Sequence, residues 1–231
     1  MSETISEPKQ PANSASFGAF PDLTRRMVVA GVALGIAVLV SFLATRYFAY
    51  HNVQENFYGQ ALVPAKEAFD FNLVDQDGKA FRLSQLRGKV VLFSFGFTHC
   101  PNICPTTLSD LAKIYRALPA NAQKRVQVIF VTVDPKRDTP AMMKDYVPYF
   151  DSSFIGLTGT ESQINEAVKA YGAYYELVHD SPRNPDNYTV NHSAITYLIS
   201  ADGKWNLLYN FDQLSDSKKM IRDIERVLAG S

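Results

Sequence analysis

The stretch VVLFSFGFTHCPNICPTTL, residues 90–108, decides how the rest of the chain is read. KVVLFSFGF, residues 89–97, is rich in β-branched and aromatic residues and has the length of a buried strand. After it, Leu108, Leu111, Ile114, Tyr115 and Leu118 recur at helical spacing. Pro105 suits the first helical position, where its missing N–H is no loss. Between strand and helix stand Cys100 and Cys104, the chain's two cysteines. They lie at the carboxyl end of a core strand, where ligand and redox sites of α/β sheets gather.

Outward from this stretch the pattern repeats. FDFNLVDQDGKAFRLSQLRGK, before it, has two short alternating runs around Asp77-Gly78, a strong hairpin signal. VQVIFVTVD, residues 126–134, reads as the next buried strand. Thr139 and Pro140 read as an N-cap and first helical residue. FIGLTG is a short strand, and Thr160 with Gln163 makes a capping box opening a helix with Ile164, Val168 and Tyr171. SAITYLISADGKWNLLYNF gives two strands joined at Asp202-Gly203, and Met220, Ile221, Ile224, Val227 and Leu228 mark a closing amphipathic helix. The order predicts an α/β domain whose central mixed sheet is flanked by helices, with a hairpin as N-terminal extension.

The chain has 231 residues, with 23 basic and 23 acidic side chains, so its charge suggests no nucleic acid as partner. MVVAGVALGIAVLVSFLA, residues 27–44, holds no charge and is long enough to span a bilayer. No small-residue cleavage site follows it, which predicts an uncleaved anchor. Arg25 and Arg26 precede the span and Arg46 alone follows closely, placing the N-terminus inside. Residues 1–26 then form a polar, disordered cytoplasmic leader. Residues 45–66 are a tether, and 67–231 are one domain outside. Glu3, Glu7 and Asp22 argue against an organellar transit peptide. A bacterial inner-membrane protein with a periplasmic domain fits.

A structural disulfide is the plainest use for two cysteines in an oxidising compartment. Closing so short a loop removes little chain entropy, however, and a domain of this size does not need it. Pro101 and Pro105 make continuous helix through the motif unfavourable, so the loop lets the sulfurs approach or splay. Cys104, just before the helix, is placed to have its thiol acidified by the helix N-terminus. Dithiol redox chemistry and thiolate metal binding both follow, and two thiolates alone suit Cu(I). A third ligand would come from a histidine. His51 sits in the tether, His99 adjoins Cys100 and points elsewhere, and His179 lies in the polar loop HDSPRNPDNYTVN. His192, in TVNHSAITYLI, stands at the entrance to a core strand. Asp134 and Asp138 are open to a role near the metal, a role in docking, or a turn and a cap.

The motifs CPNICP, VDPKRDTP, FIGLTGT, AYGAYY and NHSAITYLI, in this order over about residues 62–228, resemble the Sco/SenC family of the thioredoxin-like superfamily. The resemblance implies a thioredoxin-like fold and a membrane-anchored copper metallochaperone. Its partners would be cytochrome c oxidase subunit II, whose binuclear copper centre it helps to fill, a copper donor protein and a thiol reductant. Cys100, Cys104 and His192 match the family's copper ligands, for one copper per chain as Cu(I) or Cu(II). The alternative is a thiol–disulfide oxidoreductase, with Cys100 attacking and Cys104 resolving. A peroxiredoxin fits poorly, because Thr98 is misplaced for that chemistry. Where the family often carries Asp between the cysteines and before the ligand histidine, this chain has Asn102 and Asn191. Both changes remove negative charge near the site.

Overall fold

The computed structural model describes residues 22–179 and 187–230. The leader expected over residues 1–26 lies outside them as far as residue 21. The chain divides into two units, residues 1–49 and 50–231.

Helix α1 (Asp22–Asn56) carries the apolar segment. Thr24–His51, 28 residues whose most apolar 18-residue stretch has a mean hydropathy of 2.6, is long and apolar enough to cross a membrane. Met27, Leu34, Phe42 and Leu43 are all more than half exposed, so this helix is apolar all round rather than on one packed face.

The second unit is built on an eight-stranded mixed sheet in the order β1-β10-β9-β4-β5-β6-β2-β3. Its strands are β1 (Gln60–Glu67), β2 (Asn72–Asp75), β3 (Ala80–Arg82), β4 (Val90–Gly96), β5 (Val126–Thr132), β6 (Ile155–Thr158), β9 (Ile195–Ile199) and β10 (Lys204–Asn210). β4, β5 and β6 run parallel, and the other pairs are antiparallel. Every residue of β4 is buried, which is why the strand reads as apolar sequence interrupted only by Ser94. β10 alternates buried and open positions. Gly78 and Gly203 take φ of +79° in the two Asp-Gly turns, where a side chain would be strained.

Around the sheet stand α2 (Ile103–Ala117), α3 (Ala120–Gln123), α4 (Pro140–Tyr146), α5 (Glu161–Ala170) and α6 (Ser217–Ala229). α2 packs on β5 and α6, and α4 packs on β6. Thr139 caps α4 by accepting the Met142 N–H, and the Thr160–Gln163 capping box opens α5, both as the sequence predicts. At the centre, the Phe93 and Tyr197 rings stack at 4.8 Å with Tyr171 edge-on to both.

Three expectations need correction. Residues 45–66 are not a loose tether: α1 continues to Asn56, and β1 pairs with β10 from Gln60. The buried Asp223 carboxylate explains the docking. It accepts the Tyr58 and Gly59 N–H groups at 2.9–3.1 Å and the Tyr209 hydroxyl at 3.1 Å, which pins the entry to β1 onto α6. The polar loop between α5 and the last hairpin contains a two-stranded ribbon, β7 (Tyr175–His179) with β8 (Tyr188–His192). Residues 180–186 lie outside the described range. Finally, α2 begins at Ile103, so Pro105 is its third residue, still within the first turn where N–H groups lack helical partners.

Candidate metal centre

β4 ends at Gly96 and the chain turns through Phe97–Asn102 into α2. Cys100 lies in this turn, half-buried, and Cys104 is buried in the first turn of α2; both are free thiols. The Cys104 N–H donates to the Cys100 sulfur at 3.4 Å. A Cβ on Gly96 would stand 2.5 Å from the Phe130 ring and 2.8 Å from the Cys104 sulfur, so the strand end must be glycine for the cysteine to pack there. The sequence reading passed over Gly96, although a glycine in so apolar a run was the available signal.

His192 closes β8, and its Nε2 lies 3.3 Å from the Cys104 sulfur. Its Nδ1 faces the Ser193 carbonyl oxygen at 3.1 Å. A carbonyl can only accept, so in the neutral ring Nδ1 carries the proton and Nε2 presents its lone pair. The Phe97 ring meets the imidazole edge-on at 5.8 Å. One donor atom from each of Cys100, Cys104 and His192 lies within 4.8 Å of the other two. A first-row ion held at about 2.0–2.3 Å by nitrogen and sulfur brings such donors to roughly 4 Å apart, so the three fit one ion. Two thiolates and an imidazole favour a soft ion.

The two thiols differ sharply in acidity. Cys100 is pulled down to about 3, first by its hydrogen bond with Cys104 and then by His192 and the Cys104 and Asn102 amides, against its partial burial. Cys104 is pushed far above the ordinary thiol range by the same shared bond and by burial. The expectation that the helix N-terminus acidifies Cys104 is therefore corrected. The N–H of the first helical turn points at the Cys100 sulfur and stabilises the charge there.

The other expected residues fall around this centre. His99 is exposed, with Nδ1 3.0 Å from the Thr98 hydroxyl, and is not among the three donors. His179 ends β7 with its ring 5.4 Å from Tyr188. His51 belongs to α1. Asn102 precedes α2 and Asn191 is exposed on β8. Asp134 and Asp138 are buried carboxylates, not surface groups.

A parallel-centred sheet with a paired cysteine turn at the end of β4 and an imidazole folded over it defines a thioredoxin-like protein with a thiolate–imidazole metal site. The SCO1/SenC family profile matches residues 60–229, and the chain belongs to that family. The SCO2-like protein of Rickettsia conorii is 43% identical over 153 residues, 66% of this chain and 72% of that one. The apo Sco1 protein of Thermus thermophilus superposes with a TM-score of 0.69 at 41% identity, covering 74% of this chain and 97% of that one. Bradyrhizobium japonicum ScoI, solved with copper bound, superposes with a TM-score of 0.63 at 36% identity, covering 70% of this chain and 99% of that one.

Proposed function

We propose that this chain is a membrane-anchored copper carrier that binds one copper through Cys100, Cys104 and His192 and hands it to the binuclear centre of cytochrome c oxidase subunit II. The observation that carries the reading is the convergence of these three donors in a chain whose relative from Bradyrhizobium is solved with copper bound. Cys100 offers a ready thiolate, Cys104 a sulfur that loses its proton to solvent as the metal binds, and His192 a fixed nitrogen lone pair. A half-buried Cys100 leaves one side of the site open to the incoming ligand of a partner. Residues 27–44 anchor the carrier, with the N-terminus cytoplasmic and the domain in the periplasm of a bacterial inner membrane. A copper donor protein loads it and a thiol reductant keeps its cysteines reduced. Asn191, where relatives often carry Asp, holds Cu(II) less firmly; Asn191→Asp is expected to tighten Cu(II) binding and make the thiols less acidic.

The test is a Cu(I) competition titration of the reduced chain against a chromophoric chelator. One tightly held copper, weakened in His192→Ala, supports the site. Failure to compete, with both thiols still titratable, removes it. Reporter fusions at residue 20 and residue 231 test the orientation.

One observation favours a second activity. An ionised, accessible Cys100 beside a buried, protonated Cys104 is the division of labour of a dithiol reductant. The Cys100 thiolate would attack a partner disulfide and expel one partner thiolate. Cys104, losing its proton, would then attack the Cys100 sulfur and expel the other. Two electrons pass to the partner and a disulfide is left on this chain. Disulfide reduction undiminished in His192→Ala would separate this activity from copper binding.

A further inference from the structure

The donors come from two sheets: the cysteines follow β4 of the large sheet, and His192 ends β8 of the ribbon. A continuous line of hydrogen bonds joins the two. At one end is Thr98, two residues before Cys100. Its N–H donates to Asp138 Oδ2 at 2.9 Å and its hydroxyl to Oδ1 at 2.6 Å. Asp138 Oδ2 also accepts the Thr132 hydroxyl at 2.6 Å, and the Thr132 oxygen accepts the Asp134 N–H at 2.9 Å. At the other end Asp134 Oδ1 accepts the Tyr188 hydroxyl at 2.8 Å. Arg137, ion-paired with Asp134, donates to the Tyr188 carbonyl at 2.9 Å and lies 3.8 Å over its ring. Tyr188 opens the strand that His192 closes. Thr132 and Asp138 are fully buried, and Asp134 is 2% exposed.

Buried carboxylates are a poor way to gain stability, since apolar side chains of similar size do as well. Their use is directional. Asp138 fixes both the backbone and the side chain of Thr98, and Asp134 with Arg137 fixes both ends of Tyr188. We propose that Thr98, Asp138, Thr132, Asp134 and Tyr188 form a positioning relay that sets the distance between the dithiol and the imidazole. Thr98 acts through Cys100 and Tyr188 acts through His192. The relay rests on the reading of Cys100, Cys104 and His192 as one metal site.

The test uses the full chain in detergent, with Tyr188→Phe, Thr98→Val and Thr98→Ser made in the parent and in His192→Ala. Cu(I) competition, the thiolate-to-Cu(II) charge-transfer band and thermal unfolding are read on each. Tyr188→Phe is expected to weaken Cu(I) binding about tenfold and move the band, the scale seen for groups that orient metal ligands. It should add nothing once His192 is alanine. Thr98→Val should weaken binding in both backgrounds, and Thr98→Ser, which keeps the hydroxyl, should restore it. A lowered melting temperature with unchanged affinity and band, or a loss in Tyr188→Phe that is equal with and without His192, overturns the relay. If the parent itself takes no copper, the metal reading fails separately. The imidazole nitrogen resonances of His192 in the copper-free chain then decide: a shift in Tyr188→Phe upholds the relay, and identical positions overturn it.

Discussion

His192 Nε2 and Cys104 Sγ stand 3.3 Å apart across 88 residues of chain. The Cys104 thiol is pushed far above the ordinary range, so it keeps its proton beside this nitrogen. Any metal seated there must displace that one proton.

At pH 8, where an ordinary imidazole is neutral, metal binding should release about one proton per Cu(I), since the ligand sulfurs must be unprotonated and Cys100 is already ionised. Calorimetry in buffers of different ionisation enthalpy counts the protons. Two released per copper would show that both thiols are protonated in the free protein, against the division of acidity between them.

Alkylation reads the same asymmetry without metal. With Cys100 at about 3, its thiolate fraction is already complete at pH 5 and cannot grow. The rate with iodoacetamide should be flat from pH 5 to 8 and the adduct should map to Cys100. An ordinary thiol, near 8.5, would gain about tenfold per pH unit over that range. Such a climb, or an adduct on Cys104, contradicts the assignment.

Gly96→Ala drives a methyl into the Phe130 ring and the Cys104 sulfur. Overpacking of this kind costs about 1–3 kcal/mol, and here it also moves a donor atom. Lower stability together with weaker Cu(I) binding is expected, with partial recovery in Gly96→Ala/Phe130→Leu. Wild-type copper affinity in the single variant would show that the sulfur is not held by this contact.

Asp223→Ala leaves two backbone N–H groups and the Tyr209 hydroxyl without their acceptor. Donors stranded in this way cost about 1–3 kcal/mol each. A loss of roughly 3 kcal/mol in urea unfolding is expected, with Cu(I) affinity unchanged because the clamp's hydrogen bonds go to Tyr58, Gly59 and Tyr209 rather than to the cysteine turn. Stability within 0.5 kcal/mol of the parent, about the spread of ordinary surface changes, would mean the carboxylate does not hold β1.

Where local signals were strong, the sequence foretold the structure. The apolar run of β4, the Asp-Gly turns and the Thr139 and Thr160 caps depend on neighbours within a few residues, and each appears as read. His192 was singled out by its place before a core strand, but its approach to Cys104 depends on the ribbon, which sequence did not reveal. β7 is short and largely exposed, so it has little apolar alternation to display. β1 falls almost wholly in the stretch read as tether, because its docking depends on Asp223 far along the chain. The roles of Asp134 and Asp138 were undecidable in sequence, because a buried carboxylate and a turn carboxylate look alike until their donors are known.

The early start of β1 shortens the stretch of chain left outside helix and sheet. A loose chain over residues 45–66 would extend to about 75 Å, whereas Phe57–Gly59, the stretch between helix and strand, covers about 10 Å. If the proposed function holds, with an oxidase subunit as partner, the two would meet by lateral drift in one membrane, at a rate set by surface density rather than bulk concentration.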